Sequence, residues 1–550
     1  MNFIGNETAQ KLRGGYYTPA DLALFLARWV NEIAPKKILE PSCGDGVFFQ
    51  ALSQTGLKKS EVVGLEVNEE ESHKARSCAK GVGLVNASIQ EGDFLEWALA
   101  RLNDKDGQFD AVVGNPPFIR YQYLPALFQA NAEKVFKALD LPFTKHTNAW
   151  VPFILASMKM LRPGGRLAMV VPAEIIHVGH AQSLRSYLGR ECRRLVIVDP
   201  EELWFTDTLQ GAVILMAEKR ESASDKCQGL GMYPVKSRSF VDLSPSAIFN
   251  QPQAINGKTV AGKWTRALLD LETRNLFDEL AGHDEVFRFD EIADVDIGIV
   301  TGANKYFLVD DETVKLNNLE KWARPMFGRS DHCPGVIYNE DQHAENAKLG
   351  NPTNFLWFNE PIGPKDKGAS AYIEKGEAEE LHTRYKCRTR SPWYKVPYVY
   401  STGIGMLKRA HNAPRLILNQ IEAYTTDTAY RINTITDKVT PERLVASFVN
   451  PLTALSAELE GRHYGGGVLE LVPSEIERLL VPLSSKAKID LSALDNDVKN
   501  KSTDVVLAQQ GKAILGSMGV SQSAQDSILN GWKQLRDRRH RVSNDASEAA

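Results

Sequence analysis

The sequence predicts a Rossmann-like α/β domain in the first half of the chain and an α+β region in the second. Three observations carry this expectation. Lys37-Ile38-Leu39-Glu40 enters the glycine-bearing loop Pro41-Ser42-Cys43-Gly44-Asp45-Gly46, and an apolar run follows from Val47. This is the strand–loop–helix unit that lets a ligand approach the backbone. Successive strand-like runs end at Glu40, Glu66, Asp93 and Asn115. Between 219 and 263 the composition turns polar and turn-rich, which reads as a domain boundary.

The bulk properties agree. A chain of 550 residues is too long for one core. Its 43% hydrophobic and 24% charged residues are ordinary globular composition. No run approaches the ~18 apolar residues of a membrane span, and residues 1–14 lack an apolar leader. Six scattered cysteines without a Cys-x-x-Cys pair argue against disulfides and structural zinc. A cytoplasmic protein is expected. The net charge of −4 hides an asymmetry: 381–421 contains no Asp or Glu. Arg384, Lys386, Arg388, Arg390, Lys395, Lys408, Arg409 and Arg415 interleave there with Tyr385, Trp393, Tyr394, Tyr398 and Tyr400. Such a stretch suits phosphates and bases, or simply a solvated basic face.

In order, residues 21–33 have helical periodicity through Leu22, Phe25, Leu26 and Trp29, after the turn-rich Gly14-Gly15-Tyr16-Tyr17-Thr18-Pro19. Glu40 and Asp45 flank the glycine loop. They would repel a phosphate and attract a cation such as the ammonium and sulfonium of S-adenosylmethionine. Glu66, ending the 61–66 strand, suits a ribose diol. Gly92-Asp93-Phe94 offers an acceptor for an adenine amino group and an aromatic wall. The 109–113 strand leads into Gly114-Asn115-Pro116-Pro117-Phe118, with two carbonyl acceptors (Asn115 side chain, Pro116 backbone) beside an aromatic plate. That set suits a planar heterocycle bearing an exocyclic NH₂. Taken singly, the acids also suit helix caps, and Asn-Pro-Pro a plain turn.

Together these motifs resemble the gamma-class adenine-N6 DNA methyltransferases of bacterial restriction–modification systems, the Taq-type enzymes. Tyr17-Thr18-Pro19 is similar to their motif X, 39–46 to motif I, Glu66 to the motif II acid, Asp93-Phe94 to motif III and Asn115-Pro116-Pro117-Phe118 to motif IV. Leu161-Arg162-Pro163-Gly164-Gly165-Arg166 and the strand 167–171 resemble motifs VI and VII, and Trp204-Phe205 before the strand 212–216 resembles motif VIII. Many members carry Tyr at the position of Phe118, a change that keeps stacking and loses a hydroxyl. The resemblance implies a Rossmann-like S-adenosylmethionine-dependent methyltransferase domain. Thr18, Glu40, Gly44, Glu66, Asp93 and Phe94 would bind the cofactor. Asn115, Pro116, Pro117 and Phe118 would be catalytic, with Phe118 and Phe205 stacking on a flipped base.

In the second half a helical pattern spans 264–280. Residues 296–307 read as strand, glycine turn and strand, similar to the opening of the family's target-recognition region. Arg462-His463-Tyr464-Gly465-Gly466-Gly467 allows close backbone approach but lacks a Walker pattern. With a methyltransferase upstream, Arg388, Arg390, Trp393, Tyr394, Lys408 and Arg409 become candidate DNA contacts. The basic tail 533–541 reads as a solvated helix end. The expected domains are 1–240 (catalytic), 260–485 (target recognition) and 486–550 (helical).

The implied activity is methyl transfer to adenine N6 in a short double-stranded DNA sequence, protecting it from a separate cognate restriction endonuclease. No metal or cysteine nucleophile is required. The second half resembles the XhoI-type branch. Competing readings are an RNA or protein-glutamine methyltransferase, a cytosine-N4 enzyme and a catalytically silent DNA-specificity protein.

Overall fold

A computed structural model describes residues 17–104, 108–201, 204, 211–256, 260, 262–464 and 466–547, the last without side chains beyond 540. Two compact units divide at Leu268/Leu269, the second ending at His540.

The first unit is built on eight strands: β1 (Lys37–Glu40), β2 (Glu61–Glu66), β3 (Ala87–Glu91), β4 (Phe109–Gly114), β5 (Leu161–Pro172), β6 (Cys192–Pro200), β7 (Ala212–Lys219) and β8 (Gly229–Val235). They lie in the order β3-β2-β1-β4-β5-β7-β6-β8. β7 runs antiparallel to β5 and β6, and the other pairs are parallel. Helices cover both faces, so the central strands are largely apolar on both sides, and β4 is buried throughout. On one face pack α1 (Ala20–Asn31), α2 (Val47–Gln54) and α3 (Glu69–Gly81). On the other pack α4 (Phe94–Leu99), α5 (Ala126–Ala138), α6 (Trp150–Met160) and α7 (Gln182–Glu191). Neighbouring strand residues divide between the two cores: Ile38 joins the first and Leu39 the second.

The stretch 219–263 is not a boundary. It supplies β8, and Phe240 and Phe249 pack on Phe25 and Trp29 with ring centroids 5.2 and 4.9 Å apart. Its apolar residues are broken into short groups by Ser, Pro and charged residues, which hid the pattern. The expected turn at 161–166 is absorbed into β5, with a register break opposite Phe109/Ala111.

The second unit carries a five-stranded sheet in the order 293–297, 429–434, 404–407, 416–419, 337–338. A second core gathers Trp322, Phe355, Tyr306 and Trp393. The second strand expected within 296–307 is a short helix, Asn304–Phe307. Thr301 Oγ1 accepts the Ala303 N–H at 3.1 Å and turns the chain there. The Gly466-Gly467 segment lies in the turn between the paired strands Arg462–Tyr464 and Val468–Glu470, and Gly465 lies outside the described residues.

The tail is not a solvated end. Helix 491–500, helix 503–514 and the long helix from Gln522, as far as His540, belong to the second unit. The Arg539 side chain is fully buried against Glu458, with contacts at 3.1 and 2.6 Å, and donates to the carbonyls of His411 and Asn412 as well as Gly467. Burial alone would raise the Glu458 carboxyl, but Arg539 and His463 outweigh it and hold it below the ordinary range. Arg539→Ala leaves that carboxylate buried without its guanidinium, with only His463 Nε2 still 3.4 Å away. We expect it to cost the second unit roughly 3–5 kcal/mol in denaturant unfolding, against less than about 0.5 kcal/mol for exposed Arg384→Ala.

Candidate active site

β1 and β4 are parallel neighbours with Leu39 opposite Val112, so Glu40 ends one strand and Asn115 follows the end of its neighbour. β2 and β3 continue on the far side of β1, with Glu66 opposite Glu91. The chain adds strands to one side of β1 and then, at β4, to the other. Ligands bind at such a reversal, beyond the strands' carboxyl ends.

The loop after β1 is held by its neighbours. The Cys43 N–H donates to the Leu65 carbonyl at 2.9 Å. The Gly44 and Asn68 N–H groups donate to the two Glu66 oxygens at 3.0 and 2.9 Å. Gly46 has φ +93°, and a Cβ there would meet Phe49 Cδ2 at 3.0 Å and Cys78 Cβ at 3.1 Å, so only glycine suits the start of α2. The Ser42 hydroxyl donates to the Asn115 carbonyl at 2.9 Å, tying this loop to the Asn-Pro-Pro-Phe segment.

Glu40 is 1% exposed, and among the described residues its Oε2 has no hydrogen-bond partner. Burial first, then the charges of Asp45 and Glu66, push its carboxyl well above the usual range. Asp45 is also raised, by burial and then by Glu71. A buried acceptor without a donor is costly. A cation carrying N–H donors would relieve both the charge and the missing bond, and a phosphate would worsen them. The residues present therefore fit the ammonium-bearing end of S-adenosylmethionine.

The other expected site residues divide. Thr18 is buried just before α1, and the Tyr17 hydroxyl beside it donates to Glu71 Oε2 at 3.2 Å. Asp93 caps α4, its Oδ1 accepting the Glu96 N–H at 2.8 Å. Phe94 is turned into the core, its ring centroid 4.9 Å from that of Phe153. Pro116 is buried, Asn115, Pro117 and Phe118 are half-buried, and Phe118 packs against the α1-side core. Phe205 lies outside the described residues; its neighbour Trp204 is buried and stacks on Phe240 at 5.6 Å.

Sequence reasoning missed Asn148, whose Oδ1 accepts the Tyr121 N–H at 3.0 Å just beyond the Asn-Pro-Pro-Phe segment. Its only signal was an Asn ahead of an apolar helix, which reads as an ordinary cap.

Several candidate DNA contacts in the second unit serve its fold. Arg390 donates to the carbonyls of Thr301 and Val300, both at 2.7 Å. Trp393 is buried and its indole N–H donates to Glu377 at 3.1 Å. Tyr394 is half-buried and edge-on to Phe358. Lys408 and Arg409 both pair with buried Glu470, at 3.4 and 2.7 Å. Arg388 is exposed, with Arg384, Tyr385 and Lys386 beside it. Among the described residues no carboxylate pairs with these three cations, and Lys386 and Arg388 lie 5.7 and 5.5 Å from the Tyr385 ring centre.

Sheet order and loop chemistry define an α/β methyltransferase domain followed by a separate mixed unit. Residues 3–237 match the N-6 DNA Methylase family, and 261–515 match the C-terminal domain of the type II methyltransferase M.Eco57I. Between them the two matches cover most of the chain, which is thus similar to the type II DNA N6-methyltransferases. The type II methyltransferase M.AccI of Acinetobacter calcoaceticus is 24% identical over 88% of this chain and 87% of its own. M.XamI of Xanthomonas campestris pv. amaranthicola is 21% identical over 85% of each. Among solved structures the DrdV–DNA complex aligns loosely, at 12% identity and a TM-score of 0.48, over 92% of this chain and 58% of that one. No helix among the described residues is long and apolar enough to cross a membrane.

The raised Glu40 gives a signed prediction. Cation binding requires its ionised form, so S-adenosylmethionine affinity should rise with pH as Glu40 deprotonates and level off above its raised value. In Glu40→Gln, calorimetric titration should show affinity about 10–100-fold lower, which is the loss of one charge-assisted bond. Most of the pH slope should vanish, leaving a smaller part from Asp45.

Proposed function

We propose that the protein transfers a methyl group to adenine N6 at a short sequence in double-stranded DNA, with S-adenosylmethionine as cofactor. The observation that carries this reading is the Ser42–Asn115 link, which couples an acidic, phosphate-repelling loop to a carbonyl-rich segment beside an aromatic ring. Thr18, Glu40, Gly44, Glu66, Asp93 and Phe94 form the cofactor's binding wall, with Glu40 opposite positive charge and Phe94 contributing from within the core. When bound, the cofactor supplies an electrophilic methyl group.

An amine inside a duplex cannot reach this edge, so the base must leave the helix at a cost of a few kcal/mol. Phe118 and Phe205 stack on it and offset part of that cost. The Asn115 side-chain carbonyl and the Pro116 backbone carbonyl accept hydrogen bonds from N6, orienting its lone pair for in-line attack, while Pro117 stiffens the segment. Positioning and electrostatics do the catalysis. DNA contact in the second unit falls to Arg388 with Arg384, Tyr385 and Lys386, and a separate nuclease is the partner against which the mark protects. The acceptor readings in RNA, protein glutamine or cytosine N4 draw on the same site.

Long-read mapping of modified bases in DNA from expressing cells tests the reading. N6-methyladenine at one short motif, absent with Asn115→Ala, is expected. N4-methylcytosine would change the base, and no DNA mark with cofactor still bound would redirect the reading to RNA or protein. Lys386→Ala and Arg388→Ala should each weaken DNA binding across sequences and lower the salt slope by about 1. Arg390→Ala should instead destabilise the second unit.

A further inference from the structure

The segment after β4 leaves the sheet at Gly114 and forms no regular structure until the short turn Tyr121–Tyr123. Its geometry must come from side chains and isolated backbone bonds. Ser42 holds its start. At its far end the Ala149 N–H donates to the Ile119 carbonyl at 3.0 Å, and the Tyr121 N–H donates to Asn148 Oδ1. Asn148 is 7% exposed, and its amide must present the oxygen, not the nitrogen, to Tyr121.

A carboxylate enforces that orientation. Glu174 lies in the turn Ala173–Ile176 directly after β5, and its Oε1 accepts from Asn148 Nδ2 at 2.8 Å. The same oxygen accepts the indole N–H of Trp150 at 2.9 Å, and Trp150 is fully buried at the start of α6. His180 Nε2 stands 3.9 Å from that oxygen. Glu174 is an acceptor without a donor of its own, so the Asn148 amide cannot flip without facing oxygen to carboxylate. Trp150 anchors the carboxylate to the core, the carboxylate sets the amide, and the amide sets the Tyr121 backbone.

We propose that Glu174 is a positioning residue for methyl transfer, acting through Asn148 on the segment that carries Asn115 and Phe118. This rests on the reading that those two residues hold the target base. A small misplacement of such groups costs rate far more than binding, on the order of 10–100-fold.

The test is a double-mutant cycle on the full chain, read by single-turnover methylation of the mapped DNA site, by S-adenosylmethionine affinity and by hydrogen exchange of the 115–124 segment. Glu174→Ala and Asn148→Ala should each slow transfer about 10–100-fold with cofactor affinity within about twofold of the parent. The double variant should be no more than about twofold slower than the worse single. Glu174→Gln keeps an acceptor oxygen and should recover most of the rate. Exchange at Tyr121 should quicken in both alanine variants. A parent-like rate in Glu174→Ala, multiplicative losses in the double variant, or a matching loss of cofactor affinity would each overturn the proposal. If the parent methylates no DNA while exchange still responds as described, the clamp stands and the acceptor reading fails.

Discussion

Parallel pairing of β1 with β4 is the constraint on which the first unit depends. Because β2 and β3 extend one way from β1 and β4 and β5 the other, the two loops that leave this junction cannot be covered by a single crossover helix. A crevice opens there by topology. The register of Ile38 with Ala111 and Leu39 with Val112 then brings the chain after Glu40 beside the chain after Gly114. Ser42 can reach the Asn115 carbonyl only because of this register. Slipping either strand by one residue would turn Glu40 away and drive an apolar side chain to the wrong face.

That junction is electrostatically uncomfortable without a ligand. Glu40 is buried near Asp45 and Glu66, and none of the three has a cationic partner in an ion pair among the described residues. A fold optimised for stability alone would place an apolar residue at position 40. The cost is tolerated because large cores lie on both faces of the sheet. Perturbed acids at a crevice of this kind are the usual mark of a site tuned for chemistry.

Much of the first unit was legible because buried parallel strands read as continuous apolar runs and their loops carry glycine. β1 and β2 begin and end where the residue pattern places them. Other features depend on partners far away in sequence. Arg390 reads as a phosphate ligand until the carbonyls of Val300 and Thr301, some ninety residues earlier, take its N–H groups. A guanidinium offers five donors, and nothing in its own neighbourhood says whether backbone or solvent will receive them. Trp393 looks like a stacking platform until Tyr306 and Phe307 enclose it. Asn148 and Glu174, 26 positions apart, show no motif because their meaning is a shared hydrogen bond.

The Arg539–Glu458 pair has a consequence for how the chain is made. Glu458 belongs to the helix Pro451–Glu460, whose residues are almost all buried, while its cation arrives 81 residues later. During synthesis the sheet of the second unit is available well before the arginine that lets this carboxylate enter the interior. Until then Glu458 must be protonated or kept in water, which holds part of the unit's core open. Closure of the second unit is thereby coupled to the arrival of the helix from Gln522. A nascent chain stalled before that helix would carry an exposed, partly apolar surface, and so be marked for capture by chaperones or proteases instead of persisting as a half-built DNA-modifying enzyme.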